Sequence, residues 1–128
     1  NRPEAAKALA YYAGLVRLRC SEAGSAFRVG VKPPADYYNW ILPPDTLTLG
    51  YCVNAPRVHD GAGFVVLLNA NGDPQTFNIP FAPGRWRQIG NGVTIDPAGL
   101  PGTSVVNGAQ SLAFEVPGLS SAIFMDGF

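Results

Sequence analysis

Residues Gly63 to Pro80 read GFVVLLNANGDPQTFNIP. Phe64 to Leu68 is an unbroken apolar run, rich in β-branched side chains and short enough for a buried strand. The turn formers Asn69-Ala70-Asn71-Gly72-Asp73-Pro74 follow, and Asn71-Gly72 is a pair able to supply the positive φ angles of a tight hairpin. Gln75 to Ile79 then alternates polar and apolar residues, which puts Phe77 and Ile79 on one face of a second strand. The local pattern therefore predicts a β-hairpin with one buried arm and one half-buried arm. None of its residues is chemically reactive.

Outward from this stretch the chain reads as strands and turns. Thr46 to Val53 alternates, as do Phe27 to Val31 and Arg85 to Ile89; shorter strands are expected at Val93 to Ile95 and Thr103 to Val106. A last pair, Ser111 to Val116 and Ser120 to Met125, is separated by Pro117-Gly118. Pro33 to Pro44 reads as a proline-bounded loop, and Asn54 to Gly63 as a second loop that carries the single histidine, His59. The 12 prolines and 15 glycines exceed average usage and are spread as punctuation, as many short strands require. One helix precedes all of this. From Pro3 to Cys20 the sequence is Ala-rich and unbroken until Gly14, with Arg17 and Arg19 near its C-terminal end, where cations are favoured. Gly24 in the following turn reads as a helix stop.

One helix followed by about eight strands, with turn signals every 8–12 residues and no crossover helix, points to an antiparallel β-sandwich. The expected division is a helix and turn over residues 1–26 and a sandwich over 27–128. A chain of 128 residues can bury a real core. The first residue is Asn1, not Met, which suggests a piece of a longer protein.

The helix is the first functional clue. At about 100° per residue, Ala5, Ala8, Leu9, Tyr11, Tyr12, Leu15, Val16 and Leu18 cover half its circumference. That face is wider than a sandwich alone needs, and Leu9, Tyr12, Leu15, Val16 and Arg19 are candidate interface residues. Arg19 falls within the apolar face. Either its stem snorkels past the helix end to cap carbonyls, or it forms a buried ion pair across an interface.

Charge excludes some partners. Nine Lys and Arg balance nine Asp and Glu, and charged residues are only 14%, which argues against nucleic acid and against an anionic membrane surface. No apolar run is long enough to span a membrane, and no signal-peptide pattern is present. Cys20 and Cys52 read as buried free thiols or as one disulfide; neither has the neighbours of a metal site.

The residues also carry a resemblance. YYAGLVRLRCSEAGSAFRVG resembles the final barrel helix and first linking strand of pullulanase-type debranching enzymes, members of the α-amylase superfamily of glycoside hydrolases. Tyr11, Tyr12, Leu15, Leu18, Arg19, Phe27 and Arg28 match its pattern. FVVLLNANGDPQTFNIP is similar to the C-terminal sandwich of that family, in which an apolar strand ends in an Asn, here Asn69. Trp86 and AFEVPGLSSAIFMD fit as well. The resemblance implies a non-catalytic C-terminal sandwich that packs on and stabilises a catalytic barrel, since the family's three catalytic carboxylates belong to barrel strands upstream of this helix. It leaves an extracellular or periplasmic location open. The Tyr- and Trp-rich 33–44 stretch departs from the family pattern.

Weighed on their own chemistry, the acidic residues favour turns over catalysis: Asp60, Asp73, Asp96 and Asp126 each stand beside Gly or Pro. His59 reads as an exposed loop histidine, with no nucleophile in sequence reach. No metal-ligand spacing, phosphate loop or nucleophile elbow appears, so no catalytic residue, metal or cofactor is expected. The stretch Tyr37, Tyr38, Asn39 and Trp40 has the composition of an α-glucan platform, aromatic faces with an amide among them. The alternative reading is that these rings cover the sandwich edge or its junction with another domain. The helix leaves two further partners open, the barrel of a parent enzyme or a second copy of the chain. Trp86 reads as core, with an indole N–H that needs a buried acceptor.

Overall fold

The Ala-rich start forms α1 (Arg2–Cys20), and a 3-10 turn (Ala23–Phe27) follows it. The structure is a computed structural model that describes residues 2–28, 33, 35–55, 61–103, 106–108 and 111–126. Its strands are β1 (Tyr38–Ile41), β2 (Thr48–Val53), β3 (Phe64–Asn69), β4 (Gln75–Pro80), β5 (Arg85–Gly90), β6 (Val106–Asn107), β7 (Ser111–Val116) and β8 (Ser120–Asp126). They build a six-stranded sheet in the order β1-β2-β3-β8-β5-β6 and a two-stranded sheet β4-β7. Every pairing is antiparallel. The mainly-β, two-sheet architecture is the one the strand and turn pattern predicts.

The expected central hairpin does not form. β3 and β4 lie in different sheets, β3 between β2 and β8 and β4 beside β7. The Asn71-Gly72 pair is not a two-residue hairpin turn: neither residue is among those with positive φ, which a type I′ turn requires at both positions. Residues 70–74 form an arch between sheets. Asn69 holds it, its Nδ2 donating to the carbonyls of Asp73 (2.9 Å), Val116 (3.1 Å) and Pro117 (3.1 Å). Asn69 Oδ1 in turn accepts from the Asn71 amide at 2.9 Å.

Two apolar layers explain why β3 reads as a continuous run. Val65 and Leu67 join Phe77, Ile79, Trp86, Val116 and Phe124 in the core between the sheets. Phe64 and Val66 face the other way and pack with Leu18, Tyr37, Val53 and Ile123 beneath α1 and the 3-10 turn. A strand covered on both faces loses its polar alternation. β4, open on its outer side, keeps it, with Phe77 and Ile79 buried and their neighbours not.

Other expectations need correction. The 33–44 stretch is not all loop, because β1 occupies its middle. Phe27 ends the 3-10 turn and begins no strand, and Val29 and Val31 lie outside the described residues, as do His59 and Asp60. Of the strand expected at Val93 to Ile95 only a bridge from Ile95 to Gly90 forms. Of the strand expected at Thr103 to Val106, Ser104 and Val105 lie outside the described residues, and β6 holds Val106–Asn107. Asp126 ends β8, its buried carboxylate accepts from the Gly63 amide at 2.8 Å, and the Gly127 of the expected turn lies outside the described residues. Gly24 is not the helix stop: α1 ends at Cys20 and Gly24 lies inside the 3-10 turn, folded so tightly onto the helix end that a Cβ there would stand 1.8 Å from the Leu18 carbonyl oxygen.

The cysteines are both free thiols, but only Cys52 is buried. Burial pushes the Cys52 thiol up to about 11 from 9.0, while the thiolate is the reactive form. A thiol reagent at pH 8 is therefore expected to label Cys20 alone in the native protein, and Cys52 only after denaturant. Because the folded state holds the Cys52 proton more tightly than the unfolded chain, stability should decline as pH rises from about 9 towards about 11. Equal labelling of both thiols under native conditions would contradict this packing.

Candidate functional site

Two surfaces stand out, the outer side of α1 and the outer face of β1. The helix is seated on the six-stranded sheet by Leu18, which is buried, and Leu15, which is half-buried. Gly14 lets it approach Ile95, since a Cβ there would stand 2.8 Å from Ile95 Cγ2. Tyr11 and Ser121 share a hydroxyl hydrogen bond of 3.3 Å. Roughly 130° round the helix, by its period of about 100° per residue, Leu9, Tyr12 and Val16 remain 72%, 67% and 60% exposed. The wide apolar face of α1 is thus divided, one part spent on the sandwich and one left open. Arg19 is exposed between the two parts. It borders an apolar cleft of about 480 Å³ between helix and sheet, with Tyr51 and Leu68 on the far wall. Its carbonyl is capped by the Arg28 guanidinium, which also donates to Ser21 O at 2.9 Å.

On β1 the structure separates the four residues the sequence groups. Tyr37 is 1% exposed. Its hydroxyl donates to the Ala26 carbonyl, so the ring belongs to the core beneath α1 and is closed to a ligand. Asn39 pairs with Cys52, and Tyr38 and Trp40 pair with Val53 and Tyr51. Since Cys52 faces the inter-sheet core and Val53 the helix side, alternation puts Asn39 on one face and Tyr38 with Trp40 on the other. The Asn39 amide donates to its own turn at Asp36 O, 2.7 Å away.

What remains together is Tyr38, Trp40 and Tyr51. Trp40 is 74% exposed and meets Tyr51 edge to face, with ring centroids 5.9 Å apart at 67°. Tyr38 stands against Tyr37 at 5.0 Å in the same manner. Burial, with the Tyr38 phenol adding to it, raises the Tyr51 hydroxyl above its usual value of 10. Tyr51 is the member the sequence reading missed. A cross-strand partner is found only once the β1–β2 register is known.

Three described carboxylates, Asp45, Asp96 and Asp126, serve the backbone. Asp45 accepts from the Thr46 amide at 2.6 Å and Asp96 from the Ala98 amide at 2.9 Å. Among the described residues no group of three or more His, Cys, Asp and Glu side chains is placed to hold a metal ion. No helix among them is long and apolar enough to cross a membrane.

Comparison with known proteins agrees with this strand-built body. No family model matches the chain, and no curated protein does. Among solved structures it is similar to the pullulanase from Bacillus acidopullulyticus, with 26% identity over 70% of this chain and a TM-score of 0.54. The chain is similar to one part of a pullulanase. It spans about 10% of that much longer chain, so the likeness is to a single pullulanase-related domain.

Proposed function

We propose that this chain is a non-catalytic C-terminal β-sandwich module of a pullulanase-like α-glucan debranching enzyme, which covers and stabilises the catalytic barrel. In this reading residues 1–26 are the barrel side of the junction and residues 27–128 the sandwich. The observation that carries it is the open stripe Leu9, Tyr12 and Val16 on a helix whose opposite side is already seated on the sheet. Large apolar side chains at that spacing lose favourable burial when left in water, each worth ~1.5–3 kcal/mol when fully covered. A barrel continuing from the helix would cover them. The pullulanase likeness supports that parent.

Sedimentation velocity of the isolated chain tests the stripe. Without a barrel the chain is expected to self-associate with concentration, and the triple variant Leu9→Ser, Tyr12→Ser, Val16→Ser to weaken this by at least about tenfold. A chain that stays strictly monomeric at high concentration would count against the docking face. Reducing-end assays on pullulan should show no turnover by the chain alone, and measurable hydrolysis would overturn the non-catalytic assignment.

A further inference from the structure

We infer that Tyr38, Trp40 and Tyr51 form a surface site for a neutral polysaccharide, an α-glucan chain, separate from the docking face of α1. The choice of α-glucan rests on the proposed parentage; the choice of a neutral sugar rests on the site itself. Trp is ordinarily among the more buried residues, and exposing most of an indole without a ligand forfeits its burial. With three-quarters of its surface open and one contact on Tyr51, Trp40 offers a ring face to solvent while being held in place. Tyr38, 48% exposed, lies two residues away on the same strand face, roughly 6.6–6.8 Å along it. The arrangement is two rings in line with a third as support.

The chemistry of these three side chains suits sugar rings. Aromatic faces stack on the apolar C–H faces of a pyranose, and the Tyr38 and Tyr51 hydroxyls donate and accept at its rim. Burial keeps Tyr51 protonated well beyond neutral pH, so none of the three carries charge and an ionic ligand gains nothing from them. An added β-strand is disfavoured as occupant, because β1 is only four residues long and Pro43-Pro44 follow close behind it.

Affinity electrophoresis of the 128-residue chain tests the site, in gels containing amylopectin, pullulan or galactomannan. Retardation by the two α-glucans and not by galactomannan is expected. Trp40→Ala should weaken it by about tenfold and Tyr51→Phe, which removes only a hydroxyl, by about threefold. As Trp40 is exposed, its replacement should leave the melting curve unchanged. Fluorescence gives a second measurement that needs no truncation: of the two tryptophans, Trp86 is buried and Trp40 exposed, so a maltooligosaccharide should perturb only the Trp40 emission. The triple helix variant should bind glucan as the wild type does, which separates failure of this site from failure of the docking face. Unretarded wild type, equal retardation of Trp40→Ala, equal retardation by galactomannan, or unperturbed emission would each overturn the assignment.

Discussion

Trp86→Ala is expected to lower stability by ~3–5 kcal/mol, the range for emptying a buried aromatic site. Trp86 has no exposed surface. It sits between the sheets with Phe81 at a ring distance of 5.4 Å, and its Nε1–H donates to the Ala82 carbonyl at 2.9 Å. The site has little room to collapse, because the backbone around it is tight. A Cβ at Gly108 would stand 1.9 Å from Ala82 O and 3.1 Å from Trp86 Nε1. Trp86→Phe keeps most of the ring and orphans one acceptor, so a smaller loss of ~1–2 kcal/mol is expected. Since whole domains are stable by only ~5–15 kcal/mol, the Ala variant should melt about 10 °C or more below wild type. Urea unfolding checks the order, wild type above Phe above Ala. An Ala variant within about 1 kcal/mol of wild type would mean the indole is not the packed centre of this core.

This tryptophan was legible in the sequence because its evidence is local: an indole between Arg85 and Arg87, on a strand whose period places them on the opposite face. The same holds for α1, for Phe77 and Ile79, and for the doubly buried run of β3. Pairing partners are a different matter. The apolar run, the turn formers and the alternating arm satisfy a hairpin and an inter-sheet arch equally well, and the choice between them is made by residues far along the chain. β8 takes the place beside β3, with Asn69 opposite Ser120 and Phe64 opposite Met125, while β7 takes β4. The candidate site fails to be legible for the same reason. Tyr37, Tyr38, Asn39 and Trp40 are contiguous, but burial under Ala26 removes the first, alternation turns the third away, and the β1–β2 register brings in Tyr51. The open stripe on α1 was readable as excess apolar width. Which of its residues the sandwich would take, Leu15 and Leu18 and not Leu9, Tyr12 or Val16, depended on how the helix sits.

Asn69→Leu should cost ~3 kcal/mol, although it replaces one side chain by another of similar size in a buried place. Asn69 is the last residue of β3, where the chain leaves the large sheet for the small one. Its amide donates to one carbonyl of its own arch, Asp73, and to two at the end of β7, Val116 and Pro117. The two connections also touch directly. The Leu119 amide donates to Asn71 O at 2.7 Å, and a Cβ on Gly118 would stand 2.1 Å from Gly72 O. A leucine removes the two amide N–H donors that the three carbonyls share, and the acceptor of the Asn71 amide. Each buried group orphaned costs ~1–3 kcal/mol, and those water can reach recover part of it. Packing alone cannot explain a loss of that size, and Asn69→Asp separates the two causes. An aspartate there can still accept from the Asn71 amide, but its ionised form cannot donate and faces carbonyl oxygens. Its folded pKa should be raised above the unfolded value of about 3.9. The deficit of Asn69→Asp relative to wild type should therefore be smallest below about pH 4, where the carboxyl is protonated in both states, and grow as pH rises through the raised pKa. Denaturant midpoints of the three proteins at pH 3.5 and pH 7 give the answer. A pH-independent deficit for the aspartate, or a leucine variant as stable as wild type, would mean that the arch is held by packing and not by the amide.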